Sequence, residues 1–248
     1  MPESFLPGGF VNAVVRVGDT VRRPASARTA FVRDLLRLLE AAGWGGAPRY
    51  LGVDEQGREV LGYLDGHVAW EPRQPAAVSS DESLVAVARL VREFHDLTAG
   101  TPLAGAQEVV CHNDLSPKNT VYRPTVVGGE LRPVAFIDWD IAAPGARIHD
   151  VAHVCWQYLG LGPSVGDDVA EAARRVRLIA DSYGLPDRGS LVTTILWWQD
   201  RCWRGIESAA DAGSVAMGRL RDAGVVQEVQ RAYRWVAGHR DVLERALR

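Results

Sequence analysis

Eight consecutive residues, His112 to Asn119, read HNDLSPKN and stand between two apolar runs, Val109-Val110-Cys111 and Thr120-Val121-Tyr122. The flanking runs read as strands. Their connection therefore sets a histidine, an aspartate, a lysine and an asparagine against a core. Ionisable groups in such a place are costly unless paired or hydrogen-bonded. The loop must solve a packing problem or perform chemistry. A second short strand, PVAFIDWD, follows it and carries Asp138, 19 positions after Asn119.

This ordering suits phosphoryl transfer. A substrate hydroxyl needs a carboxylate to orient it and take its proton, and Asp114 is placed for that work. Mg²⁺ needs hard oxygen ligands, few from protein, and Asn119 and Asp138 are of the right type. The hairpin that joins them brings both to neighbouring strand ends. His112 is expected to brace the loop by hydrogen bonds rather than to transfer protons. Lys118 is the one lysine of the chain, and it could neutralise a transferring γ-phosphate.

The surroundings set these residues in an α+β chain. Residues 10 to 23, FVNAVVRVGDTVRR, alternate around a Gly-Asp pair and predict a β-hairpin. A helix follows, with Ser26 as the expected N-cap and Phe31, Val32, Leu35, Leu36 and Leu39 as its apolar stripe. Two further strands meet at a turn near Asp54 to Gly57. A connector rich in Pro and Ser, residues 71 to 80, leads to a helix over 81 to 97. Helical stretches over 148 to 159, 167 to 183, 190 to 210 and 223 to 246 fill the remainder. Strands first and helices after imply a small sheet-rich part and a larger helical one. The expected boundary sets residues 1–66, the small β-rich part, apart from residues 67–248.

Composition excludes several functions. A net charge of −3 and a pI near 6.1 give no basic field to recruit nucleic acid. No apolar run reaches the roughly 18 residues that span a bilayer, and the first residues do not read as a secretory signal. Cys111, Cys155 and Cys202 lack the paired spacing of zinc or redox sites and predict reduced thiols in the cytoplasm. Asp140 reads as a hydrogen-bonded turn residue, and His149 with His153 as a structural pair.

HNDLSPKN, FIDWD and IHDVAHV in this order resemble the aminoglycoside phosphotransferase and choline kinase-like family of small-molecule kinases. The resemblance implies the protein kinase-like fold, with two lobes, and ATP and Mg²⁺ as cofactors. It implies that Asp114 is the catalytic aspartate, that Asn119 and Asp138 bind metal, and that Asp150 begins a helix bracing the loop. LPGGFVNAVVRV is similar to the family's glycine-containing hairpin over the phosphates, with Gly8 and Gly9 allowing close backbone approach. The cation that holds the α- and β-phosphates would be Arg22 or Arg23, with Arg22 preferred. Its partner on the helix would have to be Asp34 or Glu40. Backbone at Leu61 to Leu64, including Tyr63, would face the adenine.

The implied acceptor is a hydroxyl of a small molecule, an aminoglycoside or another antibiotic among the candidates. Trp156, Trp197, Trp198, Trp203 and Trp235 offer pocket walls, while Asp200, Glu207 and Asp211 would suit a cationic acceptor. The other reading is a protein that binds nucleotide or ligand on a kinase-like fold without turnover. The sequence leaves oligomeric state open.

Overall fold

The computed structural model describes residues 3–6, 14–71, 73–125 and 128–248. Gly8 and Gly9 lie outside these. The chain divides into two compact units, residues 1–150 and 151–248.

The first unit opens with β1 (Ser4–Phe5), β2 (Val15–Val17), β3 (Thr20–Pro24), α1 (Thr29–Ala41), β4 (Tyr50–Val53) and β5 (Arg58–Gly62). The strands form one antiparallel sheet in the order β1-β2-β3-β5-β4. The β2–β3 turn uses Gly18 at φ 58°, where a side chain would be strained. At the β4–β5 turn the Asp54 carboxylate accepts the N–H of Gln56 at 3.0 Å and of Arg58 at 2.9 Å, closing an Asx turn.

Helix α1 buries Val32, Leu35, Leu36 and Leu39, the spacing of one helical face. Each such side chain contributes about 1.5–3 kcal/mol on burial. Its start differs from expectation. Ser26 does not cap the helix but folds the turn before it, accepting from the N–H of Arg28 at 3.2 Å.

The chain continues through β6 (His67–Val68), α2 (Asp81–Thr98), β7 (Val109–Cys111), β8 (Thr120–Pro124), β9 (Leu131–Phe136) and β10 (Ala143–Gly145). Ser80 caps α2, its hydroxyl accepting from the N–H of Ser83 at 3.2 Å. β6, β8 and β9 form a three-stranded sheet, and β7 pairs with β10. The buried face of α2, Leu84, Val87, Val91 and Phe94, packs on β7 and β9. α3 (Arg147–Leu159) begins in this unit, and the division falls just after Asp150.

The second unit is helical: α4 (Val169–Tyr183), α5 (Leu191–Asp211), α6 (Val215–Asp222), α7 (Val225–Gly238) and α8 (Arg240–Ala246). α5 packs on α6 and α7, and α4 on α8. Two elements depart from the expected pattern. α6 was not anticipated, because its eight residues bury none of their side chains and carry no apolar stripe. The single helix expected over 223 to 246 is broken at His239, whose ring Nδ1 bonds to the carbonyl of Trp235 at 2.8 Å. No described helix is long and apolar enough to cross a membrane.

Candidate active site

The loop after β7 is held from beneath by Asp150. Its Oδ2 accepts the N–H of His112 at 2.7 Å and its Oδ1 accepts that of Asn113 at 2.8 Å. His95 of α2, buried like Asp150, donates from Nε2 to Oδ2 at 3.0 Å. Burial alone would push the Asp150 carboxyl up. The hydrogen bond from His95, with the Asn113 N–H, instead holds it below its ordinary value. Burial pushes His95 down and outweighs its carboxylate partner, so its imidazole is neutral. Asn113 stands at φ 67°, a left-handed conformation that asparagine tolerates, and its side chain donates to the Ile141 carbonyl at 3.0 Å.

His95, Asp150 and Cys111 could hold a metal by position alone. Their chemistry argues otherwise. Both Asp150 oxygens and the His95 Nε2 proton are engaged, and burial pushes the Cys111 thiol far above its usual range.

His112 is set by two bonds of opposite sense. Nε2 donates to the carbonyl of Ile137 at 3.0 Å, and Nδ1 accepts the N–H of Asp114 at 3.3 Å. These partners fix the neutral Nε2–H tautomer and leave neither nitrogen for proton transfer. The ring packs 4.5 Å from Trp139, which lies 5.3 Å from Phe94, so an aromatic floor supports the loop.

Asp114 and Asn119 form the centre. A one-turn 3₁₀ helix, Pro117–Asn119, brings the asparagine back over the aspartate. Asn119 Nδ2 donates to the Asp114 carbonyl and to its Oδ2, both at 2.8 Å. This fixes the amide, leaving Asn119 Oδ1 as an acceptor and Asp114 Oδ1 outside that pair. Asn119 and Asp138 are neighbours because β8 pairs with β9 and the Ile137 N–H bonds to the Asn119 carbonyl at 2.9 Å.

Asp138 also has a left-handed backbone, at φ 64°. The residue is exposed, with protein atoms packed near its carboxyl. That packing, then the charges of Asp140 and Asp114, push it up to about 6, against the pull of Arg23 and Lys118. This charge and these hard oxygen donors, Asp138 and Asn119 Oδ1, fit Mg²⁺. Lys118 is exposed and has no ion pair among the described residues, but its charge is felt at Asp138.

The two candidate phosphate cations go to opposite faces of β3. Arg22 turns to Thr20 Oγ1 at 2.6 Å and lies 3.5 Å from Asp54. Arg23 is buried, donates from Nε to Glu59 at 2.9 Å, and pairs through Nη1 with Asp140. The structure thus brings Arg23, not Arg22, to the site. The helix carboxylates are committed elsewhere, Asp34 to Arg33 at 2.8 Å and Glu40 to Arg49 at 2.6 Å. Glu59 and His95 escaped sequence reasoning. His95 is a polar residue on the apolar face of an amphipathic helix, which was a usable signal.

The expected adenine-facing stretch is partly occupied. Leu61 is paired on both sides, opposite Val21 and Tyr50, and the Tyr63 N–H donates to the Asp19 carbonyl at 2.9 Å. Leu64 makes no hydrogen bond among the described residues. In the helical unit, Asp200 is held by Arg204 at 2.9 Å and Asp211 by Arg221 at 2.9 Å, so two of the three carboxylates expected for a cation are already paired. Trp156 and Trp198 are buried around His153, at 5.5 and 4.9 Å, while Trp197 is exposed.

A braced loop, with an aspartate tied to an asparagine and a strand-end aspartate near it, suits phosphoryl transfer, and the comparisons give the family. Residues 101–191 match the model of the phosphotransferase enzyme family. A trifolitoxin immunity protein from Rhizobium leguminosarum bv. trifolii is 31% identical over 99% of this chain and 98% of its own. A choline/ethanolamine kinase family protein from Mesorhizobium loti is 17% identical and superposes with a TM-score of 0.54, covering 95% of this chain and 92% of that one. An aminoglycoside phosphotransferase from Streptomyces rimosus, also solved with ADP and streptomycin, is 19% identical with a TM-score of 0.59, covering 79% and 90%. The chain belongs to the phosphotransferase enzyme family and has the two-lobe α+β fold of these kinases.

Proposed function

We propose that the protein transfers the γ-phosphoryl group of ATP to a hydroxyl of a small molecule, with Mg²⁺, and that this confers immunity to an antibiotic or toxin. The observation that carries the reading is the Asp114–Asn119 pair: its geometry leaves one Asp114 oxygen for an acceptor hydroxyl. In this account Asp114 orients the hydroxyl and takes its proton. The acceptor oxygen forms its bond to the γ-phosphorus as the bridging bond to ADP breaks. Asn119 and Asp138 would hold Mg²⁺, which neutralises phosphate charge when bound. Lys118 and Arg23 add cations to the phosphate side, and Leu64 is the residue of its stretch left open to the base. Residues 1–66 serve as the nucleotide lobe and 67–248 as the acceptor lobe. The likeness to an immunity protein supports self-protection, and Cys111, Cys155 and Cys202, none of them in a disulfide, suit the cytoplasm.

Purified protein with labelled ATP, Mg²⁺ and a panel of aminosugars, choline and basic peptides tests the reading. ADP and a phosphorylated acceptor should appear together. Binding of an acceptor with no ADP formed would favour the other reading, a binding protein without turnover. That reading draws on Arg23, whose guanidinium is engaged by two carboxylates.

A pH dependence follows from Asp138. Because its folded-state value is raised to about 6, the folded protein holds a proton there that the unfolded chain has lost. Its contribution to stability therefore falls as pH rises from the ordinary carboxylate range to about 6, the reverse of a salt-bridged aspartate. Metal must displace this proton, so Mg²⁺ affinity should be level above that pH and fall about tenfold per pH unit below it. Titration of Mg²⁺ at several pH values checks this; a flat profile down to pH 5 would remove Asp138 from the metal site.

A further inference from the structure

We infer that Arg23 is an exchangeable phosphate-binding cation, anchored by Glu59 and occupied by Asp140 until a phosphate displaces that carboxylate. The inference rests on the phosphotransferase reading, which already sets Arg23 toward phosphate, and adds roles for Glu59 and Asp140.

The geometry separates the two carboxylates. Arg23 and Glu59 are direct cross-strand partners on β3 and β5, joined from Nε at 2.9 Å, with side chains 9% and 1% exposed. A pair fixed by two central strands of one sheet cannot drift, and leaving either charge alone there would be costly. Asp140 differs on each point. It lies beyond the end of β9, its side chain is 31% exposed, and it meets Nη1 at the outer end of the guanidinium. Water can take over its solvation when it leaves. It stands two residues after Asp138, so the contact lies beside a carboxylate expected to hold the metal of the nucleotide. A phosphate arriving beside Asp138 offers Nη1 the same charge-assisted hydrogen bond. The exchange frees a carboxylate as the anion arrives and leaves the Glu59 anchor in place.

Affinity for inorganic tripolyphosphate in EDTA, measured by calorimetry, tests this without metal or base. Asp140→Ala should bind it roughly fivefold more tightly than wild type, the scale of a partly exposed ion pair. In an Arg23→Met background the same change should have almost no effect. An equal gain in both backgrounds would mean simple charge repulsion and would overturn the exchange. Glu59→Gln gives the opposite sign from electrostatics: it removes a negative charge near the anion, yet should weaken binding severalfold because Arg23 loses its anchor. Tighter binding by Glu59→Gln would overturn the positioning role. The two readings fail separately. Wild type that binds Mg²⁺-ATP, with Asp140→Ala unchanged toward tripolyphosphate, ends only this inference; wild type that makes no ADP with any acceptor ends the phosphotransferase reading.

Discussion

Asp114→Asn is expected to abolish phosphoryl transfer while leaving ATP affinity nearly unchanged. The substituted amide can still accept from Asn119 Nδ2, so the 2.8 Å contact and the turn it closes survive. What disappears is the base. An amide cannot take the acceptor proton, and the loss should reach or exceed the roughly 10²–10⁴ typical of general-base contributions. It should fall on kcat, because the group acts on the acceptor hydroxyl and not on the nucleotide. Activity at half the wild-type level would remove Asp114 from the mechanism.

Asp150→Ala should have the largest effect on folding. The change strips the acceptor from His95, His112 N–H and Asn113 N–H in one step, all within the protein interior or at its edge. Each donor left without an acceptor costs about 1–3 kcal/mol, and three are left at once. That is a large part of the roughly 5–15 kcal/mol by which a domain is stable. Urea unfolding followed by tryptophan fluorescence should show it, since Trp139 sits on the floor of the same loop. A shift worth less than about 1 kcal/mol would mean that Asp150 is not the loop's support.

The loop was legible because its chemistry is local. His112, Asp114 and Asn119 stand within eight residues, and the strands on either side fix where they point. The hairpins were legible for the same reason, through alternation and turn residues. The choice between Arg22 and Arg23 was not. The two are adjacent, and alternate faces of a strand look alike until the register with Glu59, 36 residues later, is known. The Tyr63 N–H was lost to Asp19 in the same way, by a contact across the sheet. α6 lacked a hydrophobic stripe, and the break at His239 lacked a proline to announce it.

On the proposed reading, Asp138 and Asn119 would bind the metal of a nucleotide complex beside Asp114. Calorimetric titration of ATP at several Mg²⁺ concentrations, for wild type and Asp138→Ala, tests it most directly. Mg²⁺ should strengthen ATP binding in wild type, and Asp138→Ala should lose that dependence. The same Mg²⁺ dependence in both proteins would contradict the account.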